Sequence, residues 1–525
     1  MPNRMDGSGG GCQGASDSNS PPEAQKMAPT PSNIRPSGVI LLLLIALTAI
    51  RLSIAAGTGL VFDEAYYRLW GLFPAWGYFD HAPMVAWWVA LGQGIVGDTA
   101  LGTRLLGPLS ALIGSLLLWR TTFLLFDRPV ATLSVLVFNA MLLPSVGSIV
   151  MTPDVPSVFF WGLTLWALAE LRASQNAKWW LLIGALIGLD LLSKYSGVFL
   201  GLGILLWMLI DKTQRHWFSH PLPYLGALLA ILFFSPVLYW NAAHDYVSFA
   251  KQLSRTQGES FEPHYLFDLI GAQWLLMTPI IGAIALYSFS HNLQSLIPSR
   301  SGSTTLVIAT SLPFAVYLLL HALHDRVNAN WPAPLMPAFA ILAAITLEKI
   351  KTRFLKRSAF ALGYAILALV FLEIVHPFLP IPPDRNPAML TRGWVELGKE
   401  LENIAKEKGL SWIATASYEH TGGLGFALHG TMNVIQINER IRYGFMPPPD
   451  PILTAKPALF IMWDHAADGA LKNLSRCIGQ VEKIGTVSRK YGAVSIESFA
   501  IYQLTDVKIT PPIYDRKRDP SSCQL

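Results

Sequence analysis

The chain has 525 residues, of which 52% are hydrophobic and only 14% charged, against about 25% charged in soluble globular proteins. That balance excludes a soluble, a disordered and a fibrous protein, and a formal net charge of +5 is too small for a nucleic-acid binder. The composition is that of a membrane protein, and three cysteines, Cys12, Cys477 and Cys523, exclude both a disulfide scaffold and a multi-thiolate metal centre.

In chain order, residues 1–36 are rich in Gly, Ser, Pro and Asn and too poor in apolar side chains to offset the entropy of ordering; they read as a disordered cytoplasmic tail. The first apolar run, Gly38 to Ala56, lacks a small-residue cleavage pattern after it and reads as a retained helix rather than a signal peptide. Further runs of spanning length lie near 100–125, 130–149, 155–171, 179–193, 196–210, 223–240, 265–289, 304–322, 332–347 and 358–376, which predicts about eleven transmembrane helices over residues 37–379. The stretch Ala82 to Val96 is apolar but short, and with Trp87 and Trp88 it suits an interfacial or re-entrant helix. Residues 380–525 hold 32 of the 73 charged side chains. An amphipathic Trp394–Lys408 segment and short apolar runs at Trp412–Ala416 and Ala458–Trp463 predict a small soluble α/β domain there.

Basic residues set the orientation. With a cytoplasmic amino terminus, Arg128, Arg172, Lys178, Lys212, Arg215, Arg300 and the cluster from Lys349 to Arg357 all fall in cytoplasmic loops, as the positive-inside rule requires. The opposite loops then gather Asp63, Glu64, Asp80, His81, Asp154, Lys194, His264 and Arg326 on one outer face, and an odd number of spans puts the tail on the same side.

Phe-Asp-Glu-Ala-Tyr-Tyr at 62–67 and Gly-Tyr-Phe-Asp-His-Ala-Pro at 77–83 place two acidic clusters beside aromatics. These suit carboxylates working over a stacked sugar ring, or equally acids capping an interfacial helix. Asp154, in Thr-Pro-Asp-Val-Pro, is a helix cap or a functional carboxylate. Lys194 follows Asp190 by four residues and is either its ion-pair partner or a phosphate-binding lysine. His264 with Asp80 or Asp154 supplies a mixed N/O set suited to a divalent ion such as Zn²⁺, Mg²⁺ or Mn²⁺, while a lone histidine at a membrane edge is more often a hydrogen-bonded interface residue. Arg326, four residues before Asn330, binds a phosphate or pairs with Asp325. No Walker loop, dinucleotide glycine pattern or nucleophile elbow occurs, and Gly422-Gly423-Leu424-Gly425 indicates a turn. With no nucleotide site, an enzyme on this face needs a lipid-linked donor.

Taken together, the acidic pair at 63–64, Tyr78-Phe79-Asp80-His81-Ala82-Pro83, Thr152-Pro153-Asp154, Ser193-Lys194-Tyr195, Trp240-Asn241 and Asn330-Trp331-Pro332 resemble the GT-C membrane glycosyltransferases. Within them the resemblance is to the bacterial branch related to protein mannosyltransferases and lipid A aminoarabinose transferases. It covers roughly residues 38–350 and implies an inverting transfer of a sugar from a polyprenyl-phosphate donor to a lipid-linked or envelope glycan acceptor, at the periplasmic face of the bacterial inner membrane. By the same resemblance Asp63, Glu64 and Asp154 are catalytic, and Asp80 and His264 hold the metal. His81, Lys194, Tyr195, Arg326, Tyr66 and Asn330 bind donor phosphate or substrate. Two positions depart from the aminoarabinose pattern: His81 stands where those enzymes carry lysine, and Tyr66 where they carry arginine. The Asp-His-x-Pro form is more similar to lipopolysaccharide galacturonosyl or hexosyl transferases, and a histidine near phosphate introduces a titration near pH 6.5 that lysine lacks. The rival class, a transporter or flippase of polyprenyl-linked sugars, calls for ionisable residues buried mid-span and an inverted repeat, and neither is visible in the sequence.

Overall fold

The structure is a computed structural model that describes residues 35–255, 260–297, 302–474 and 478–509. The tail expected over 1–36 lies outside these but for its last two residues, as do all three cysteines. Residues 36–525 form one compact unit. It is predominantly helical, with a small sheet near the C-terminal end.

Every apolar run read as a span is helical, and the ends follow local chemistry. Ser37 accepts from the Ile40 N–H to cap Gly38–Gly57, and Asp127 caps Arg128–Ala140. Among the described residues, five helices are long and apolar enough to cross a bilayer: Gly38–Gly57, Ala100–Leu125, Pro221–Ala243, Ser303–His321 and Arg353–Val375. A sixth counts if Gly197–Ile210 and Lys212–Ser219, bent by 110° at Asp211, are one span. The other predicted spans are shorter or broken. The run at 130–149 divides at Met141 into Arg128–Ala140 and Leu142–Gly147, and 265–289 divides at Thr278, where φ is 65° and Pro279 restarts the helix.

Small residues let these helices touch backbone to backbone. A Cβ at Gly184 would fall 1.9 Å from the Gly226 carbonyl oxygen, so Trp179–Ser193 and Pro221–Ala243 pack this closely only because both positions are glycine. Buried Arg51 ties two helices together, donating to Asn139 Oδ1 at 3.0 Å and Ser145 Oγ at 2.9 Å.

The C-terminal part is a five-stranded sheet of order β2-β1-β3-β5-β4, with β1 Trp412–Thr415, β2 Val434–Gln436, β3 Ala458–Trp463, β4 Gln480–Tyr491 and β5 Val494–Thr505. Strand β1 runs parallel to β2 and β3, and β5 is antiparallel to β3 and β4. Parallel β1 and β2 need a crossover, and Tyr418–Ala427 supplies it. Fully buried Trp412, Ala414 and Phe460 face one core, and Ile413, Leu459 and Ile461 the other, the period-two alternation of a sheet covered on both sides.

The crossover helix also joins the sheet to the membrane part. Gly422 lies against the Phe62–Leu72 helix so closely that a Cβ would sit 3.1 Å from Ala65 Cβ and the Tyr66 nitrogen, and one at Gly423 would sit 2.8 Å from the Trp394 ring. The glycine run read as a turn is therefore a helix interior, small on two faces because it is packed on both.

Candidate functional site

The Phe62–Leu72 helix places adjacent acids on different faces, since consecutive helical residues are about 100° apart. Glu64 turns inward. Fully buried, it pairs through both oxygens with Arg104, accepts the Met151 N–H at 2.7 Å, and closes the helix start by accepting the Val61 N–H at 3.1 Å. The catalytic role expected for Glu64 is corrected: its lone pairs are taken, and it does not line the pocket that Asp63 faces.

That pocket, about 220 Å³, is lined by Asp63, Tyr66, Asp80, His81, Asp154, Lys194 and Asn330, seven of the residues singled out in the sequence. Segments some 270 residues apart thus converge on one point. Asp63 Oδ1 accepts from the Tyr418 hydroxyl at 3.2 Å. Burial pushes its carboxyl up from the ordinary aspartate value; the Tyr418 hydrogen bond opposes this, and the Asp80 and Glu64 charges add to it. Asp154 begins the Asp154–Ser174 helix and is held by Lys194 Nζ at 2.5 Å and Asn330 Nδ2 at 2.6 Å. Lys194 therefore pairs with Asp154 rather than with Asp190, which instead accepts from Ser157 Oγ at 2.7 Å.

Asp80 is occupied from within the protein. Its Oδ2 accepts from Arg442 Nη1 at 2.6 Å and from the Tyr66 hydroxyl at 3.1 Å. His264 is exposed, with Nδ1 3.5 Å from Glu262, and is not in the pocket lining. Among the described residues no group of three or more His, Cys, Asp or Glu side chains is placed to hold a metal. Of the pair expected to hold a divalent ion, Asp80 is bound by a guanidinium and His264 lies outside the pocket lining.

Two other expected ligands also lie elsewhere. Arg326 is exposed beyond the pocket, its backbone N–H donating to Asp325 Oδ1, and the Tyr195 hydroxyl bonds Ser248 Oγ at 2.9 Å beneath the site. His81 lines the pocket as a neutral ring. Burial, then the charges of Arg255, Lys194, Arg442 and Lys251, hold it well below the usual histidine value, so the titration expected near pH 6.5 is absent from the free protein.

The pocket also holds Arg255, Tyr418 and Arg442, to which the sequence assigned no role; Tyr418 and Arg442 lie in the predicted soluble tail. With them the pocket holds three acids, Asp63, Asp80 and Asp154, and three cations, Lys194, Arg255 and Arg442. An apolar cavity of about 300 Å³ adjoins it. Leu118, Phe138, Val155, Phe159 and Leu165 line that cavity, and Asp63, Thr152, Asp154 and Asn330 border both spaces.

The polytopic helical architecture is the one that the sequence resemblance implied, and the resemblance to bacterial GT-C glycosyltransferases recurs in the comparisons with known proteins. The family model described as dolichyl-phosphate-mannose-protein mannosyltransferase matches residues 80–240. The lipid A galacturonosyltransferase RgtD of Rhizobium johnstonii is 23% identical over 397 residues, covering 75% of this chain and 82% of that protein. Among solved structures, ArnT from Cupriavidus metallidurans bound to undecaprenyl phosphate superposes with a TM-score of 0.61 at 15% identity, over 89% of this chain and 98% of that one. Its apo state gives 0.60 at 15% identity, over 88% and 97%. The chain has the ArnT fold.

Proposed function

We propose that this protein is an inverting membrane glycosyltransferase that moves a sugar from a polyprenyl-phosphate donor to lipid A or another envelope glycan, at the periplasmic face of the bacterial inner membrane. The observation that carries the reading is the shared border of the two spaces. A charged pocket and an apolar cavity meeting at Asp63 and Asp154 fit a donor that is anionic at one end and hydrocarbon at the other. The similarity to a lipid A galacturonosyltransferase favours a uronic acid as the transferred sugar, since a carboxylate on the ring gives the pocket's cations a second anion to bind. The distribution of basic loop residues supports the orientation.

In the proposed step the acceptor hydroxyl oxygen attacks the anomeric carbon as the bond to the phosphate oxygen breaks, and the lipid phosphate leaves. The hydroxyl proton passes to Asp63, whose raised pKa suits a base, a contribution of roughly 10²–10⁴ in rate. Lys194 and Arg255 face the space where charge develops on the leaving phosphate. Where the acceptor is itself a phosphate, no proton moves and Asp63 positions the acceptor.

Mass spectrometry of lipopolysaccharide from a deletion strain, complemented with wild type or Asp63→Asn, tests this. One sugar should be missing from the deletion and the Asp63→Asn strains and restored by wild type. Unchanged glycans in the deletion strain, with no transfer by purified protein from any polyprenyl-phosphate sugar, would discard the reading.

A further inference from the structure

Two side chains of the C-terminal segment, Tyr418 and Arg442, reach the pocket. Tyr418 opens the Tyr418–Ala427 helix, whose first turn is capped by Ser417 and whose Gly422 is pressed on the backbone at Ala65 and Tyr66. That close seat holds the Tyr418 hydroxyl on Asp63 Oδ1. Its ring is fixed edge-on by Phe62, 6.3 Å between centroids, and Tyr66, 5.7 Å, while the Arg442 guanidinium lies over it at 5.0 Å. Arg442 donates from Nη1 to Asp80 and from Nε to Glu439 Oε2 at 3.0 Å. Of the five N–H groups of a guanidinium, these two bonds leave the others without a hydrogen bond among the described residues, on a side chain that lines the pocket.

We propose that the pocket is a composite of membrane-part loops and the C-terminal segment, in which Arg442 binds the anionic group of the donor and Tyr418 is a positioning residue for Asp63. The proposal rests on the glycosyltransferase reading. Asp80, expected to face a metal, instead orients a planar cation, and a guanidinium held through Nη1 by Asp80 and through Nε by Glu439 keeps its remaining N–H groups, on Nη1 and Nη2, for contact with phosphate. A latch that merely docks the tail would need the Arg442–Asp80 pair alone. It would leave unexplained why the Tyr418 hydroxyl donates to Asp63 in the pocket lining.

The titratable and charged groups around Asp63 are Glu64, Tyr66 and Tyr67 on its own helix, Asp80 and His81 from the following loop, Asp154, Lys194 and Arg255 from the membrane part, and Tyr418, Glu419 and Arg442 from the tail. Of these, the Tyr418 hydroxyl bonds directly to Asp63 and lowers its pKa. In Tyr418→Phe the carboxyl therefore rises further, and the acid limb of kcat moves to higher pH.

The test uses full-length protein in nanodiscs with a polyprenyl-phosphate-sugar donor. Tyr418→Phe should lower kcat roughly tenfold at unchanged donor KM, with the acid limb displaced upward. Arg442→Lys keeps a positive charge near Asp80 but loses the fork; it should raise donor KM roughly tenfold and weaken binding of undecaprenyl phosphate by a similar factor. An unmoved acid limb in Tyr418→Phe, whatever happens to kcat or the unfolding temperature, overturns the positioning role. Wild-type affinity for undecaprenyl phosphate in Arg442→Lys overturns the anion role. If wild-type protein transfers no sugar, the glycosyltransferase reading fails instead, and the undecaprenyl phosphate comparison still decides the place of Arg442.

Discussion

Replacing Glu64 by alanine separates a structural acid from a catalytic one. The carboxylate is fully buried against Arg104, itself 1% exposed. Arg104 also donates to the carbonyl oxygens of Thr58 at 3.1 Å and Gly59 at 2.8 Å, so it ties the first helix end to the Phe62–Leu72 helix. Alanine strands a buried cation and two backbone donors, the N–H groups of Val61 and Met151. Removing one partner of a buried ion pair costs about 3–5 kcal/mol, a large part of the roughly 5–15 kcal/mol that stabilises a typical domain. Glutamine, which keeps one acceptor oxygen, should cost less. Thermal unfolding in detergent should show a marked drop for Glu64→Ala and a smaller one for Glu64→Gln, while turnover per folded molecule of Glu64→Gln stays within a few-fold of wild type. A Glu64→Gln protein that unfolds at the wild-type temperature yet has lost transfer would refute this assignment and return Glu64 to the chemistry.

Lys194→Met leaves Asp154 with Asn330 and Thr152 as partners and should raise donor KM roughly 10–100-fold, the worth of a charge-assisted contact; an unchanged KM would confine Lys194 to holding Asp154. Because burial and surrounding cations keep His81 neutral, His81→Gln should leave the shape of the kcat/KM profile between about pH 5.5 and 8 as in wild type; a limb near 6.5 that vanishes in the variant would contradict the geometry. Since Asp80 is bound by Arg442 and Tyr66, elemental analysis should find the same divalent metal content in wild type and Asp80→Ala, and a stoichiometric ion lost with Asp80 would restore the metal site. His420 is buried among Trp463, Phe499 and Trp394, and burial, then the Arg489 charge, pushes its pKa down to about 3. The unfolded chain therefore binds this proton first as pH falls below about 6.5, and stability drops by up to about 1.4 kcal/mol per pH unit down to the folded value. His420→Leu should flatten the unfolding temperature between pH 6.5 and 4; an equally steep decline would assign the acid sensitivity elsewhere.

The membrane half of the site was legible because polar residues are rare there. Asp63, Asp80, Asp154 and Lys194 stand at the ends of apolar runs, where an ionisable group needs a reason to be present, and the structure gathers them in one pocket. Adjacent letters misled at Glu64, because sequence shows that two acids are neighbours but not that a helix turns one of them inward. Tyr418 and Arg442 were hidden for the opposite reason. In a segment with ordinary soluble composition a tyrosine and an arginine carry no signal, and only the seating of Gly422 on Ala65 shows that this helix faces the site. The helical runs were legible from hydropathy; the break at Met141 was not, since methionine is a good helix former, whereas the break at Thr278 is signalled by Pro279, which disfavours helix at the residue before it.

The hydrogen bond between Tyr418 and Asp63 closes a loop of 355 residues. During synthesis the acid is made early and its partner comes only after the membrane helices, so the pocket has no finished form until the last domain has folded against the first loop. A chain interrupted after Asp154 and before residue 418 carries Asp63, Asp80 and Asp154 with neither Tyr418 nor Arg442. The maturation of this protein is thus timed by its own length, and an unfinished copy in the membrane lacks the residues that complete the pocket.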